Sequence, residues 1–213
     1  TNGVFQFLRY FLDAVNTFKP THVICRWDMG SETFRTELYD GYKANRDAAP
    51  EELIPQFELV KEVVEAFNTP NIGLKNYEAD DCIGTLASAY GLAHDVLILT
   101  GDLDMLQLVN ERVHVAIMRK GQGNYEVFDH DNFHEKKGIL PRQIIDFKGL
   151  MGDAADNYPG VKGIGEKTAL KLLQEYDTVE NILANMEQLT KGMQTRINTD
   201  LDMLHLSREL TEI

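Results

Sequence analysis

Two short, largely apolar and β-rich runs constrain this chain most: His22 to Trp27, ending at Asp28, and Asp95 to Thr100, ending at Gly101 and Asp102. A strand apolar on both of its faces has little surface to give to solvent. It belongs in a sheet covered on both sides, as parallel sheets with crossover helices are. Helical spacing supplies the covering layers. Val4, Phe7, Leu8, Phe11, Leu12 and Val15 mark one face of a helix that Lys19-Pro20 ends. Further helices are expected at Ile54 to Phe67 and Ala79 to Tyr90, with another strand at Val113 to Met118. After Pro141 the pattern turns helical, with Ile144 to Met151, Glu166 to Tyr176 and two later helices. The fold class that follows is α/β: a central, mostly parallel sheet flanked by helices over residues 1–140, then a helical region over 141–213.

A length of 213 residues with 43% hydrophobic content supports one well-packed domain with a small helical appendage. No apolar run approaches the ~20 residues needed to cross a bilayer, and the opening residues lack a basic-then-apolar signal pattern. A soluble, cytoplasmic protein with no membrane partner is expected. Cys25 and Cys82 sit in apolar stretches without CxxC spacing, which points to two reduced, buried thiols. The formal net charge of −13 argues against a nucleic-acid binder, because phosphate backbones reward Lys and Arg. That objection weakens if many carboxylates belong to a divalent-metal site, whose ions reverse the local field where a phosphate must sit.

The carboxylates have such a pattern. Asp28 follows one strand and Asp102 and Asp104 follow another, on the sheet edge where open α/β proteins bind ligands. Glu78, Asp80 and Asp81 open the helix Ala79 to Tyr90, and Asp153 and Asp156 lie in the loop after Met151. Two magnesium or manganese ions ~4 Å apart, held by such oxygens, stabilise the attacking and leaving oxygens of a phosphoryl displacement. Taken singly, each cluster has an ordinary explanation: acids favour helix starts, and Asp is common in turns. The joint pattern asks for more. The six histidines make no compact ligand spacing, which disfavours a zinc hydrolase.

Two other segments look made for DNA. Gly160-Val161-Lys162-Gly163-Ile164-Gly165 precedes a helix carrying Lys167 and Lys171, so backbone amides and a helix N-terminus can meet a phosphate. This GxxGxG spacing is neither a dinucleotide fingerprint nor a P-loop, and a helix, hairpin, helix grip on a DNA backbone fits it better. Residues 30–56 are polar, with aromatics and both charge signs; here Phe34, Arg35, Tyr39, Tyr42, Lys43, Asn45 and Arg46 could hold a phosphate or stack on an unpaired base.

The blocks FRTELYDGYKANR, YEADDCIGTLA, TGDLDMLQLV and LMGDAADNYPGVKGIGEKTA closely resemble the 5′ to 3′ exonuclease domain of bacterial DNA polymerase I, and more closely still the free-standing bacterial flap endonucleases. The similarity runs in unbroken order from about Thr21 to Tyr176. The resemblance implies a metal-dependent 5′ nuclease acting on branched or single-stranded-end DNA in replication and repair. It implies that Asp28, Glu78, Asp80 and Asp81 serve mainly a first Mg2+, and Asp102, Asp104, Asp153 and Asp156 a second, with Mn2+ as substitute. Lys43 and Arg46 would contact the scissile phosphate from a helical arch at about residues 30–56, with Phe34, Arg35 and Tyr42 in or below it. Gly160 to Gly165, with Lys167, would belong to a helix, two-turn, helix element that binds duplex DNA and holds K+. A monomer is expected.

Two departures stand out. Members of this family begin with a strand carrying an additional aspartate for the first metal, whereas this chain opens at Thr1-Asn2-Gly3; a further N-terminal segment of several tens of residues is expected. Ala154-Ala155 stands where serine is common, which removes a hydroxyl near the monovalent-ion site. Two other readings compete: a non-catalytic DNA-structure-binding module with an incomplete first metal site, and a small-molecule phosphatase using Asp102 as covalent nucleophile. The latter leaves the arch and hairpin unexplained.

Overall fold

The amphipathic run at the start forms α1 (Asn2–Phe18) in a computed structural model that describes residues 2–213. Thr1, and the segment expected before it, lie outside the described residues. α1 lays Phe7 against Trp27 and Phe11 against Phe67, at ring separations of 5.5 and 5.9 Å. Next come β1 (Cys25–Arg26), the short α2 (Phe34–Leu38), α3 (Ile54–Ala66) and β2 (Asn71–Ile72). α4 (Ala79–Tyr90), β3 (Val96–Thr100), β4 (Val113–Met118), β5 (Tyr125–Phe128) and α5 (Phe133–Lys137) complete the first part.

The α/β class holds, with the pairing divided in two. β1 and β2 pair in parallel as one sheet; β3 and β4 pair in parallel, and β5 closes the second sheet antiparallel to β4. The expected strand from His22 to Trp27 shrinks to two paired residues, because its single neighbour β2 is itself two residues long. Val113, Val115, Ala116 and Ile117 of β4 are each about 1% exposed or less, so the core runs along that strand. Among the described residues no helix is long and apolar enough to cross a membrane.

The chain then turns helical: α6 (Ile144–Met151), α7 (Glu166–Tyr176), α8 (Val179–Ala184), α9 (Lys191–Thr199) and α10 (Leu201–Thr211). Three helices follow α7, where two were expected. The extra boundaries are set by caps: Thr178 Oγ1 accepts from Asn181 N–H, and Thr190 Oγ1 accepts from Met193 N–H, each satisfying an end amide of a short helix. α10 packs along α6, and its last turn returns to the first part of the chain. There Arg35 Nε donates to Leu210 O at 2.8 Å, and Gln107 Nε2 donates to Thr211 O at 2.9 Å.

Candidate active site

Each strand ends in an acid whose Oδ1 accepts from a backbone amide. Beyond β1, Asp28 Oδ1 accepts from Ala79 N–H at 2.6 Å, which pins it to the N-terminus of α4. Beyond β3, Asp102 N–H donates to Thr100 Oγ1 at 3.0 Å, and Asp102 Oδ1 accepts from Asp104 N–H at 2.8 Å. This turn aims Asp102 and Asp104 to the sheet edge before the short 3-10 turn Asp104–Leu108 begins. After α6, Asp153 and Tyr158 exchange backbone hydrogen bonds of 2.8 and 3.0 Å, closing a small loop that presents Asp153 and Asp156.

These four clusters meet in one acidic basin. Burial, then the charges of Asp102, Glu78 and Asp28, push the Asp80 carboxyl up to about 7. Burial also raises Asp104, to about 6, with Asp102 and Asp153 adding to it and Lys148 opposing. Tyr42 OH reaches both Glu78 Oε2 at 3.1 Å and Asp156 Oδ2 at 3.3 Å, and burial first, then those two charges, keeps the phenol protonated.

Cationic side chains thread between the acids. Lys43 Nζ lies 2.6 Å from Glu78 Oε1 and 4.0 Å from Asp156 Oδ2, and Arg46 Nη2 donates to Asp156 Oδ1 at 2.5 Å. Lys148 joins Asp104 to Asp153. As arranged, no group of three potential ligands among the described residues is close enough to enclose an ion. The donor set nonetheless suits a hard divalent cation: it is all carboxylate oxygen, and Asp80, raised first by burial, also feels the charges of Asp102, Glu78 and Asp28.

Several of the expected site residues have partners inside the protein. Asp81, expected as a ligand of the first metal, has its oxygens committed: Oδ1 and Oδ2 accept from the Arg35 fork at 2.7 and 2.8 Å, and Oδ2 also accepts from Glu78 N–H at 2.8 Å. Through the last of these bonds it holds Glu78 in position. Arg35, expected to face DNA, is 2% exposed, and all its donor groups are used inside the protein. Tyr42 is buried beneath Lys43, and Phe34 packs against Tyr77 at the mouth of a cavity of about 520 Å3.

In the hairpin, Val161 and Ile164 are 1% and 3% exposed, anchoring the turn in the core. Gly160 is buried too, at φ +59, where a Cβ would lie 2.3 Å from Gly152 N. That leaves Lys162, Gly163, Gly165 and Lys167 facing outward. Sequence reasoning missed Lys148, Arg196, whose Nη1 donates to Gly163 O at 3.2 Å, and Asp200, which accepts from Lys162 N–H at 2.8 Å. No local signal marks them.

A covered α/β sheet with acids gathered at its strand ends and a helical region carrying a glycine hairpin defines a nuclease-like class. Residues 1–138 match the 5′-3′ exonuclease N-terminal resolvase-like domain, and residues 139–213 match the 5′-3′ exonuclease C-terminal SAM fold. The chain belongs to the 5′-3′ exonuclease family. It is 54% identical over its whole length to a 5′-3′ exonuclease of Bacillus subtilis, spanning 72% of that protein. It is 44% identical to DNA polymerase I of Lactococcus lactis, of which it spans 25%. Two solved structures of the phage T5 enzyme share the fold, each covering 98% of this chain and 80% of the other. One, a 5′-exonuclease with divalent metal ions (zinc) bound, has a TM-score of 0.82 at 24% identity. The other, a flap endonuclease complex with DNA and metal ions, has a TM-score of 0.81 at 23% identity.

Proposed function

We propose that this chain is a structure-specific 5′ nuclease, both 5′ to 3′ exonuclease and flap endonuclease, that hydrolyses DNA phosphodiester bonds with two divalent ions in replication and repair. One observation carries the reading: Asp28, Glu78, Asp80, Asp102, Asp104, Asp153 and Asp156, from distant parts of the chain, share one basin at the strand ends. The divalent metal and DNA named for the phage T5 enzyme support it.

Asp28, Glu78 and Asp80 would hold one Mg2+, and Asp102, Asp104, Asp153 and Asp156 the other, with Mn2+ as substitute. When bound, such ions activate water and stabilise the attacking and leaving oxygens. Asp81 and Arg35 keep Glu78 in place. Lys43 and Arg46 sit at the rim, their side chains 23% and 53% exposed, and would exchange their carboxylate partners for the scissile phosphate. Products carry a 5′ phosphate. Lys162, Gly163, Gly165 and Lys167 would grip the duplex backbone, with K+ at the hairpin. Residues 1–140 and 141–213 then divide the work as nuclease core and DNA-binding region, in a cytoplasmic monomer that reaches the nucleoid through DNA.

The test is a labelled 5′-flap substrate with Mg2+. Cleavage near the junction supports the enzyme, and binding without cleavage supports the non-catalytic module. Lys162→Ala with Lys167→Ala should weaken duplex binding across sequences and reduce the salt slope by about 2, near 0.9 per lost phosphate contact. Fluorescence anisotropy over a salt series checks it.

A pH dependence follows from Asp80 at about 7 and Asp104 at about 6. Both folded values lie above the unfolded carboxylate value, so the folded state holds protons that the unfolded state releases. In chelator, these two groups therefore cost stability increasingly as pH rises from about 4 through 7. Because ligands must lose those protons, Mn2+ affinity should climb over about pH 5 to 8, with proton release on binding. Calorimetry in buffers of differing ionisation heat reads that release; a pH-independent affinity would contradict it.

A further inference from the structure

α6 carries a lysine whose partners lie on other elements. Lys148 is set in an apolar stretch and its side chain is 11% exposed. Its Nζ lies 2.7 Å from Asp104 Oδ1 and hydrogen-bonds Asp153 Oδ2, so one ammonium bridges the acid after β3 to the acid after α6. Both carboxylates reach that ammonium from other elements. Asp104 Oδ1 is itself buried and has no well-aligned hydrogen bond. The contact is a charge pair that leaves this oxygen short of partners.

The contrast with Arg35 is instructive. Arg35 grips Asp81 with a planar fork and two further carbonyl contacts, an arrangement that nothing can enter without breaking it. Lys148 is a point charge at the end of a flexible stem, which can swing aside at small cost to the helix that bears it. Its two partners are also two of the four acids assigned to one divalent ion.

We infer that Lys148 is a tethered counter-cation: it holds Asp104 and Asp153 together until a divalent ion takes the same oxygens, and so sets that ion's affinity by competing with it. This rests on the two-ion reading above. Groups that support metal ligands usually strengthen binding by about 10- to 100-fold. Lys148 has the opposite sign, because ion and ammonium want the same lone pairs.

The experiment is a calorimetric titration of Mn2+ into the full chain at fixed pH and salt, for the wild type, Lys148→Met and Lys148→Arg. Thermal melts accompany it, with chelator and with Mn2+. Lys148→Met should bind Mn2+ about tenfold tighter or more, melt lower in chelator, and gain more from Mn2+ than the wild type does. Lys148→Arg keeps the charge and should bind within a few-fold of the wild type, or more weakly. If Lys148→Met folds only with metal, competition against a chelator of known affinity yields the same constant. Unchanged or weaker Mn2+ binding in Lys148→Met, with equal melting losses in both conditions, overturns the inference and leaves a structural role. A wild type that binds no Mn2+ overturns the two-ion reading, and this inference with it.

Discussion

Asp102→Asn lowers cleavage of a 5′-flap substrate about a thousandfold, with little change in melting temperature. The substitution keeps shape and keeps Oδ1 as acceptor for Asp104 N–H, so the turn after β3 survives. What it removes is one unit of charge from the acids assigned to the metals. Losing about 4 kcal/mol of the several that a metal centre contributes to the transition state corresponds to that factor, at 1.36 kcal/mol per decade. A second signature belongs to the same variant. Asp102 is the charge that contributes most, after burial, to raising Asp80, so the Asp80 carboxyl should titrate below about 7 in Asp102→Asn. Single-turnover cleavage and carbonyl NMR titration read the two effects; activity within tenfold of the wild type would remove Asp102 from the site.

Arg35→Met should destabilise the fold by about 3 to 5 kcal/mol, the range for stripping one partner from a buried ion pair. Arg35 is 2% exposed and its fork accounts for both Asp81 oxygens, while its other donors reach Leu210 O and Glu212 O at 2.8 and 2.5 Å. Met fills the volume but removes the cation from the Asp81 carboxylate, leaving it only the Glu78 N–H, and takes the donors from the Leu210 and Glu212 carbonyls. For a chain of this size the melting temperature should fall by about 10 °C. Circular dichroism melts in chelator check this, and a fall below about 2 °C would show the fork to be dispensable. Arg35→Lys should recover only part, since an ammonium cannot serve two carboxylate oxygens and a carbonyl in one plane.

Both predictions depend on long-range contacts, and that is where the sequence stops being readable. Periodic segments announced themselves: α4, α7 and β4 have the expected bounds, because their apolar spacing coincides with the faces they bury. The acids at strand ends were legible for a topological reason, since strand order alone brings Asp28 and Asp102 to a common edge. Asp80 and Asp81, by contrast, are adjacent and identical in type. Only the Arg35 fork, reaching Asp81 from 46 residues away and Leu210 from 175, separates a free acid from a committed one. Lys148 was hidden for the same reason, as its partners Asp104 and Asp153 lie on other elements. In the hairpin, the glycines predicted the turn, but which side chains faced outward depended on how Val161 and Ile164 entered the core. The short sheet of β1 and β2 reflects pairing length, which a run of apolar residues does not encode.

The most direct measurement of the central claim is anomalous scattering from a crystal of the full chain soaked in Mn2+. The expected result is two Mn2+ peaks inside the basin, one beside Asp28, Glu78 and Asp80, the other beside Asp102, Asp104, Asp153 and Asp156. Peaks only outside the basin, or none at millimolar Mn2+, would contradict it.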